Sequence, residues 1–275
     1  MPSWLPLRTR LSTLLVISAA LVWLQPGLAQ QAQRPSSPPA PQAVQAEGDV
    51  CECEGCTSIL VGKRASADGS TMTSHSCDST TDRTWMDMVP NQAHKPGSMA
   101  TLWMDPKESK GPNDPDRVPA GEIPQVPQTY KFLNAAYPIM NEHQLAIGET
   151  TFGGKRELKS DDGIIDCPEL YRLVLERART AREAIRIADE LTRLYGYNDY
   201  GEAFTFADKD EVWFFEIMGP GRGKKGAVWA AVRIPDDEVA VSANAPRIRK
   251  IDLKDPDTYM ASANIYSLAE ELGWW

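Results

Sequence analysis

GCTSILVGKRASADGSTMTSHSCD, residues 55–78, decides how the rest of the chain is read. An apolar, β-branched run opens directly at Cys56, a turn falls at Ala67–Asp68–Gly69, and a second β-rich run follows. This is the pattern of strand, turn and strand. The cysteine stands at the first position of the first strand, immediately after Gly55. A free thiol, with pKa about 8.5, is mostly protonated at neutral pH, whereas an α-amine, at about 7.7–8.0, can take its proton. A cut between Gly55 and Cys56 would put thiol and α-amine on one residue, a recognised way of activating a side-chain nucleophile. Glycine before the cysteine leaves the carbonyl uncrowded for such an attack.

Nothing upstream reads as core. Arg8 and Arg10, the apolar run Leu11 to Leu24 and the small-residue close Gly27–Leu28–Ala29 have the build of a secretory signal over 1–29. Pro26 and Gly27 end the apolar run early for a membrane span, an uncleaved anchor being the other reading. Residues 30–46 are mostly Gln, Ala, Pro and Ser, so 30–55 is expected to be a pro-segment or linker. The expected product is exported, to the periplasm or the outside, with no stable membrane insertion after signal removal.

The remainder, 56–275, suffices for one domain. A net charge of −9 and a pI of about 5.0 argue against nucleic acid as a partner, since phosphate binding needs a basic face. The small basic group Arg222, Lys224 and Lys225 sits among glycines and reads as a solvated turn. Five cysteines, at 51, 53, 56, 77 and 167, are an odd count for an exported protein and suggest one free reactive thiol. With Cys56 as that thiol, and Cys51 and Cys53 removed by processing, Cys77 and Cys167 remain as a candidate disulfide. The alternative is a metal or redox site built from Cys51, Cys53 and Cys56 with His75 and Cys77, although paired C-x-x-C units are missing.

Along the domain, 57–62 and 69–74 read as strands, and 82–130 as a long irregular excursion punctuated by Trp85, Met86, Met88, Trp103 and Met104. Residues 144–152 read as a strand. Asp166 caps a helix with Pro168 in its first turn and an apolar stripe at Leu170, Leu173 and Val174. Thr180 and Glu183 open a second helix, with Ile185, Ile187, Ala188 and Leu191 as its buried face and Gly196 as its stop. Strands follow at 203–207, 211–217, 227–234 and 238–243, the first pair joined at Asp208–Lys209–Asp210, and 258–272 reads as helix. Runs of strands, then helices, then strands indicate an α+β layered domain, not a doubly wound parallel sheet.

An ordered set of blocks carries a resemblance over nearly all of 56–275. These are the 56–78 block, RTWMDMVP at 83–90, HKPG at 94–97, YPIMNEHQLAIGETTFGG at 137–154, EVWFFEIMGPG at 211–221, VRIPDDEVAVSANAPRI at 232–248 and YSLAEELGW at 266–274. The chain resembles the peptidase family C69 dipeptidases, relatives of the secernins. The resemblance implies a four-layer αββα N-terminal-nucleophile hydrolase sandwich, distantly related to bile-salt hydrolases and penicillin V acylases. It also implies hydrolysis of amide bonds, chiefly in dipeptides, with no metal or organic cofactor. Family members usually run on well beyond the position of Trp275, so the sandwich is expected to be incomplete at this end.

By the same resemblance Cys56 is the nucleophile, and Asp78 the acid that orients the N-terminal amine. Asn244 and Thr151 are expected to supply oxyanion donors, and His75 and Asn141 to lie in the substrate-binding region. His75–Ser76–Cys77–Asp78 departs from the Arg-Asn-x-Asp pattern of the bile-salt hydrolases, which loosens any transfer of substrate detail. The alternative for Asn141 is a turn residue leading into its strand. The rival functions are a linear-amide acylase and a non-catalytic exported binding protein with a degenerate site. The expected partner is a small peptide substrate.

Overall fold

The structure, a computed structural model, describes residues 55–78, 86–104, 117–135 and 137–275. The predicted signal, the pro-segment up to Glu54 with Cys51 and Cys53, and Trp85 lie outside the described residues. The chain begins with β1 (Gly55–Val61), β2 (Met72–Thr73), β3 (Ser76–Asp78), β4 (Asp87–Val89), β5 (Gln92–Ala93), β6 (Met99–Met104) and β7 (Val118–Pro124). It continues with β8 (Gln128–Thr129), β9 (Phe132–Asn134), β10 (Met140–Asn141) and β11 (Ala146–Gly153), then α1 (Cys167–Arg177) and α2 (Ala181–Tyr195). It closes with β12 (Gly201–Ala207), β13 (Val212–Met218), β14 (Val228–Arg233), β15 (Val239–Ser242), β16 (Tyr259–Ala261) and α3 (Ile265–Glu271).

Two antiparallel sheets carry the fold. The larger has eight strands in the order β16-β14-β13-β12-β11-β10-β9-β4. The smaller has β1 at its centre, with β15 on one side and both β2 and β3 on the other. Side-chain alternation along β12 and β13 explains the stacking, because successive residues of a strand face opposite sides. Phe204, Phe206, Trp213, Phe215 and Ile217 face α1 and α2, where they meet Leu170, Tyr171, Val174, Ile185 and Ala188. Ala203, Ala207, Val212 and Phe214 face the other way and close over Leu60 of the small sheet with Ile234. All seven residues of β12 are buried, as a strand covered on both faces requires. The aromatic rings of Tyr171, Phe204, Phe206 and Phe215 sit 5.0 to 6.0 Å apart. Burial of each such side chain contributes roughly 1.5–3 kcal/mol.

Among the described residues the layers are therefore small sheet, large sheet and helices. The α+β class expected from the order of elements holds, and the four-layer form is not reached by these three layers. Polar bridges fix the two sheets against each other. Ser58 Oγ donates to the Glu149 carbonyl at 3.0 Å, Thr150 and Ser242 share a hydroxyl contact at 2.9 Å, and Thr73 meets Thr205 at 2.5 Å. Gly148 matters here because a Cβ on it would lie 2.7 Å from Thr205 Oγ1 and 2.8 Å from the Ser74 carbonyl oxygen. Bare backbone at this point lets the segment carrying His75 lie directly on β11.

The local signals for the helices are as the sequence predicts. Asp166 Oδ1 accepts from the Glu169 N–H at 3.0 Å, and Thr180 Oγ1 from the Glu183 N–H at 3.2 Å. Glu183 reaches back to the N–H of Arg179, one residue before the cap. Gly196 ends α2 with φ 79°. Asp208 Oδ1 accepts from the N–H groups of Asp210 and Glu211, which closes the predicted hairpin turn.

Four expectations need correction. Residues 82–130 are not an irregular excursion throughout, since β6 and β7 pair as a ribbon with Pro119 and Pro124 at positions where an edge strand tolerates a missing donor. Residues 259–261 extend the large sheet beside β14, and the last helix begins only at Ile265. Ile187 is only partly buried, since the stripe of α2 runs through Ala181, Ala184, Ile185, Ala188 and Leu191. Cys77 and Cys167 do not form a disulfide: both are free, and Cys77 is instead the register partner of Cys56.

Candidate active site

Cys56 is the second residue of β1, where Cys56, Ser58 and Leu60 point inward and Ile59 points out. The side chain is 3% exposed. Its backbone N–H donates to Asn244 Oδ1 at 2.6 Å, and Asn244 Nδ2 donates to the Thr151 carbonyl at 2.7 Å. Asn244 follows the end of β15 with φ 49°, a left-handed conformation that asparagine tolerates better than most residues. One side-chain amide thus ties the first strand to the end of β11.

The peptide before Cys56 is flanked by polar groups. Gly55 adopts φ 154°, a region open to glycine, and stands opposite Asp78 in register. A Cβ at Gly55 would lie 3.6 Å from Asn244 Oδ1 and 4.0 Å from Asp78 Oδ2. Asp78 itself is exposed. A carboxylate and an amide oxygen therefore border the Gly55–Cys56 junction, the kind of surroundings that hold an amine or ammonium.

The thiol is kept protonated. The Cys77 side chain, burial and the Glu149 charge push it well above the ordinary cysteine range, with the Thr151 backbone opposing them. His75 lies beneath, with Nε2 3.4 Å from Glu149 Oε2 and its ring edge-on to Tyr137 at 5.2 Å. Burial pulls the imidazole down to about 4, so His75 is neutral near pH 7 and its contact with Glu149 is not an ion pair. Neither Nε2 nor Oε2 makes a hydrogen bond of acceptable geometry.

Below this layer sits a buried acidic pair. Glu149 and Glu202 are 1% and 4% exposed, and burial raises both carboxyls above the usual range. Glu149 Oε1 accepts from the Thr151 hydroxyl at 3.2 Å, and the two carboxyl groups hydrogen-bond to each other. The hydroxyls of Tyr171 and Tyr197, both fully buried, are also unpartnered. One donor atom each from Cys56, His75 and Glu149 falls within a mutual 4.8 Å, and so does one each from Glu149, Cys167 and Glu202. Each trio falls short of the four protein ligands of a structural zinc site. Two cavities among the described residues, of about 380 and 260 Å³, lie away from Cys56, lined by residues such as Lys224 and Leu268 or Phe152 and Ile248.

Of the residues singled out from sequence, Cys56, Asp78, Asn244, Thr151 and His75 are gathered around the start of β1. Asn141 works elsewhere. Its Nδ2 donates to the carbonyls of Leu175 and Ala178 at the end of α1, and its Oδ1 accepts from the N–H groups of His143 and Leu145. With every hydrogen-bonding capacity used, Asn141 serves as a structural cap at the end of α1. Asn244 Nδ2 and the Thr151 hydroxyl are engaged with the Thr151 carbonyl and Glu149, while the Thr151 backbone N–H, the other donor that Thr151 offers, faces the Cys56 thiol. Glu149 and Glu202 are the residues that sequence reasoning passed over. Their signal was present, since each is a carboxylate inside a strand that otherwise has apolar or small residues.

Comparison with known proteins gives one consistent result. The model described as peptidase family C69 matches residues 55–274. The chain is 31% identical over 229 residues to a protein named probable dipeptidase from Latilactobacillus sakei, covering 79% of this chain and 45% of that one. It is 31% identical over 224 residues to probable dipeptidase B of Lactococcus lactis, covering 78% and 44%. It is 28% identical over 229 residues to dipeptidase A of Lactobacillus helveticus, covering 78% and 46%. The chain thus spans less than half the length of these curated relatives.

Proposed function

This chain belongs to peptidase family C69, and from that premise we propose that it is a cysteine dipeptidase whose nucleophile, Cys56, is released by self-cleavage after Gly55. The observation that carries the reading is the Cys56 nitrogen, held at 2.6 Å by Asn244 Oδ1 on an inward-facing thiol residue. In the first phase Cys56 Sγ attacks the Gly55 carbonyl carbon, the C–N bond breaks, and the nitrogen leaves as the amine of Cys56. Water then hydrolyses the resulting thioester and frees the preceding segment. Asp78 and Asn244 are suited to hold the new α-amine.

In the second phase the α-amine takes the thiol proton as Sγ attacks the substrate carbonyl. The thiol is too weak an acid in its buried setting to wait as free thiolate, so a base on the same residue is what the chemistry requires. The amine passes the proton to the leaving amine, an acyl-enzyme remains, and water completes turnover. Asn244 is our assigned oxyanion donor, by exchange of its Nδ2 from the Thr151 carbonyl to the developing negative charge. Loss of one such donor costs roughly 2.7–4 kcal/mol of transition-state stabilisation. The same reading carries the αββα sandwich, of which small sheet, large sheet and helices are three layers. It also carries export through the 1–29 leader.

Intact mass and N-terminal sequencing of the wild type beside Cys56→Ala test this directly. A wild type that begins at Cys56, a variant that keeps its leader segment, and hydrolysis of Ala-Ala by the wild type alone are expected. A wild type that is never cut at Gly55 would refute the reading.

A further inference from the structure

Resting on the dipeptidase reading, we infer that Cys77 makes the nucleophile redox-sensitive: an external disulfide drives Cys56 and Cys77 into a cross-strand disulfide that shuts off the enzyme, and reduction reopens it. Register is the first observation. Cys56 of β1 and Cys77 of β3 are direct antiparallel partners, so their side chains leave the small sheet on the same face. The Cys56 N–H points away from β3, to Asn244 Oδ1, and the contact toward β3 is made by the next residue, Thr57, whose carbonyl accepts from Ser76 Oγ. The pair is therefore of the non-hydrogen-bonded kind, in which Cα atoms stand about 4.5 Å apart and the side chains are closest. A disulfide needs Cα atoms about 4.4–6.8 Å apart, so a bridge can close here without moving the strands.

Contact and exposure are the second and third. The Cys77 side chain hydrogen-bonds the Cys56 thiol, so the two sulfurs already face each other, and both are free. Cys56 is 3% exposed, whereas Cys77 is only partly buried. Cys77 is thus the sulfur that an oxidant in solution meets, and Cys56 stands directly behind it. Cys167, the remaining described cysteine, lies deeper, among Glu149 and Glu202. Of the described cysteines, Cys56 and Cys77 are the two that strand register places opposite each other.

The oxidant class is a small external disulfide, with glutathione disulfide as the probe. In the first step the Cys77 thiol gives its proton to solvent and its sulfur attacks one glutathione sulfur. A Cys77–glutathione bond forms, the glutathione S–S bond breaks, and one glutathione leaves as thiolate and is protonated from solvent. In the second step the α-amine of processed Cys56 takes the Cys56 proton, and Sγ attacks the Cys77 sulfur. The Cys56–Cys77 bond forms, and the second glutathione leaves as thiolate and collects that proton. Two protein thiols are oxidised, and one disulfide is reduced to two glutathione thiols. The bridged Cys56 has no thiol with which to attack a carbonyl. A bridge at the short end of the Cα range, with one sulfur reachable from solvent, is of the labile kind that thiols reduce.

The test takes the full chain after reduction, wild type beside Cys77→Ser, which keeps a hydrogen-bonding group against the Cys56 thiol and cannot bridge. Each is incubated with glutathione disulfide, digested without reductant for mass spectrometry, and assayed on Ala-Ala before and after dithiothreitol. The wild type should become lighter by two hydrogens, yield a peptide pair joined through Cys56 and Cys77, and lose about 100-fold or more in activity. Dithiothreitol should restore it to within a few-fold, and Cys77→Ser should stay active through the same treatment. A wild type that keeps both thiols free, or that carries glutathione on Cys56 with no bridge, overturns the inference. Equal loss of activity in Cys77→Ser overturns it as well, and each of these results leaves the dipeptidase reading standing. A reduced wild type that is uncut and inactive refutes the dipeptidase reading instead, and the joined peptide pair still decides for or against the bridge.

Discussion

Acid should weaken this domain through His75, by an amount the structure fixes. The imidazole is pulled from its ordinary 6.5 down to about 4 because it is buried beside Glu149 and Tyr137, where the charged form is poorly solvated. Above pH 6.5 the ring is neutral in both the folded and unfolded chain and contributes no pH dependence. Below that, the unfolded chain binds a proton that the folded chain refuses, so the balance shifts toward unfolding until the pH reaches about 4. A gap of about 2.5 units at 1.36 kcal/mol per unit amounts to a loss of about 3 kcal/mol over that window. Glu149 and Glu202 act with the opposite sign, because their raised carboxyls favour the folded state as the pH falls toward the ordinary carboxylate range. Comparison with His75→Phe, which keeps an aromatic ring and cannot titrate, separates the two. Urea unfolding followed by tryptophan fluorescence, from about pH 7 to about pH 4.5, should show the wild type losing stability relative to the variant by about 2 kcal/mol or more. Parallel curves across that range would mean that the folded chain takes the proton as readily as the unfolded one, and the account of a neutral buried His75 would be wrong.

Other substitutions probe separate parts of the argument. Asn244→Ala removes the acceptor of the Cys56 N–H and the assigned oxyanion donor, so self-cleavage and Ala-Ala hydrolysis, timed by mass and by product release, should each slow about 100-fold; rates within a few-fold of wild type would remove Asn244 from the mechanism. Asn141→Ala strands two carbonyls at the end of α1 and two N–H groups before β11, and should cost about 3 kcal/mol or more in urea unfolding while leaving kcat of the folded enzyme near wild type; a selective rise in KM would restore it as a substrate ligand. Gly148→Ala drives a methyl into the Ser74 carbonyl and the Thr205 hydroxyl and should destabilise by about 1–3 kcal/mol, with a lowered melting temperature as the readout.

The legible part of this protein was written in short-range patterns. Phe204 and Phe206 alternate with Ala203, Thr205 and Ala207, which are small or β-branched, so that strand and its two faces could be read directly. Asp166, Thr180 and Gly196 mark helix ends by chemistry that acts within four residues. The sequence also singled out Cys56, since its place at the head of a strand is a local fact. Residues 72–78 were harder: the second run of the first block breaks at Ser74 and His75 into two short strands that pair with different parts of β1. Tyr259–Ala261 reads as helix locally and becomes strand only because β14 offers an open edge.

By itself the sequence determined the α+β class and the family and singled out Cys56, because periodicity, caps and ordered motif blocks need only neighbours along the chain. The tertiary structure decided which groups surround Cys56. Asn244 reaches its nitrogen across 188 residues, and Glu149 and Glu202 become a pair only when β11 and β12 align Thr151 with Glu202. Nothing in a string of residues says that a glutamate will lose its water or that an asparagine will spend its amide on a helix end. Those outcomes depend on strand register and on the stacking of two sheets, which are set by contacts between distant segments.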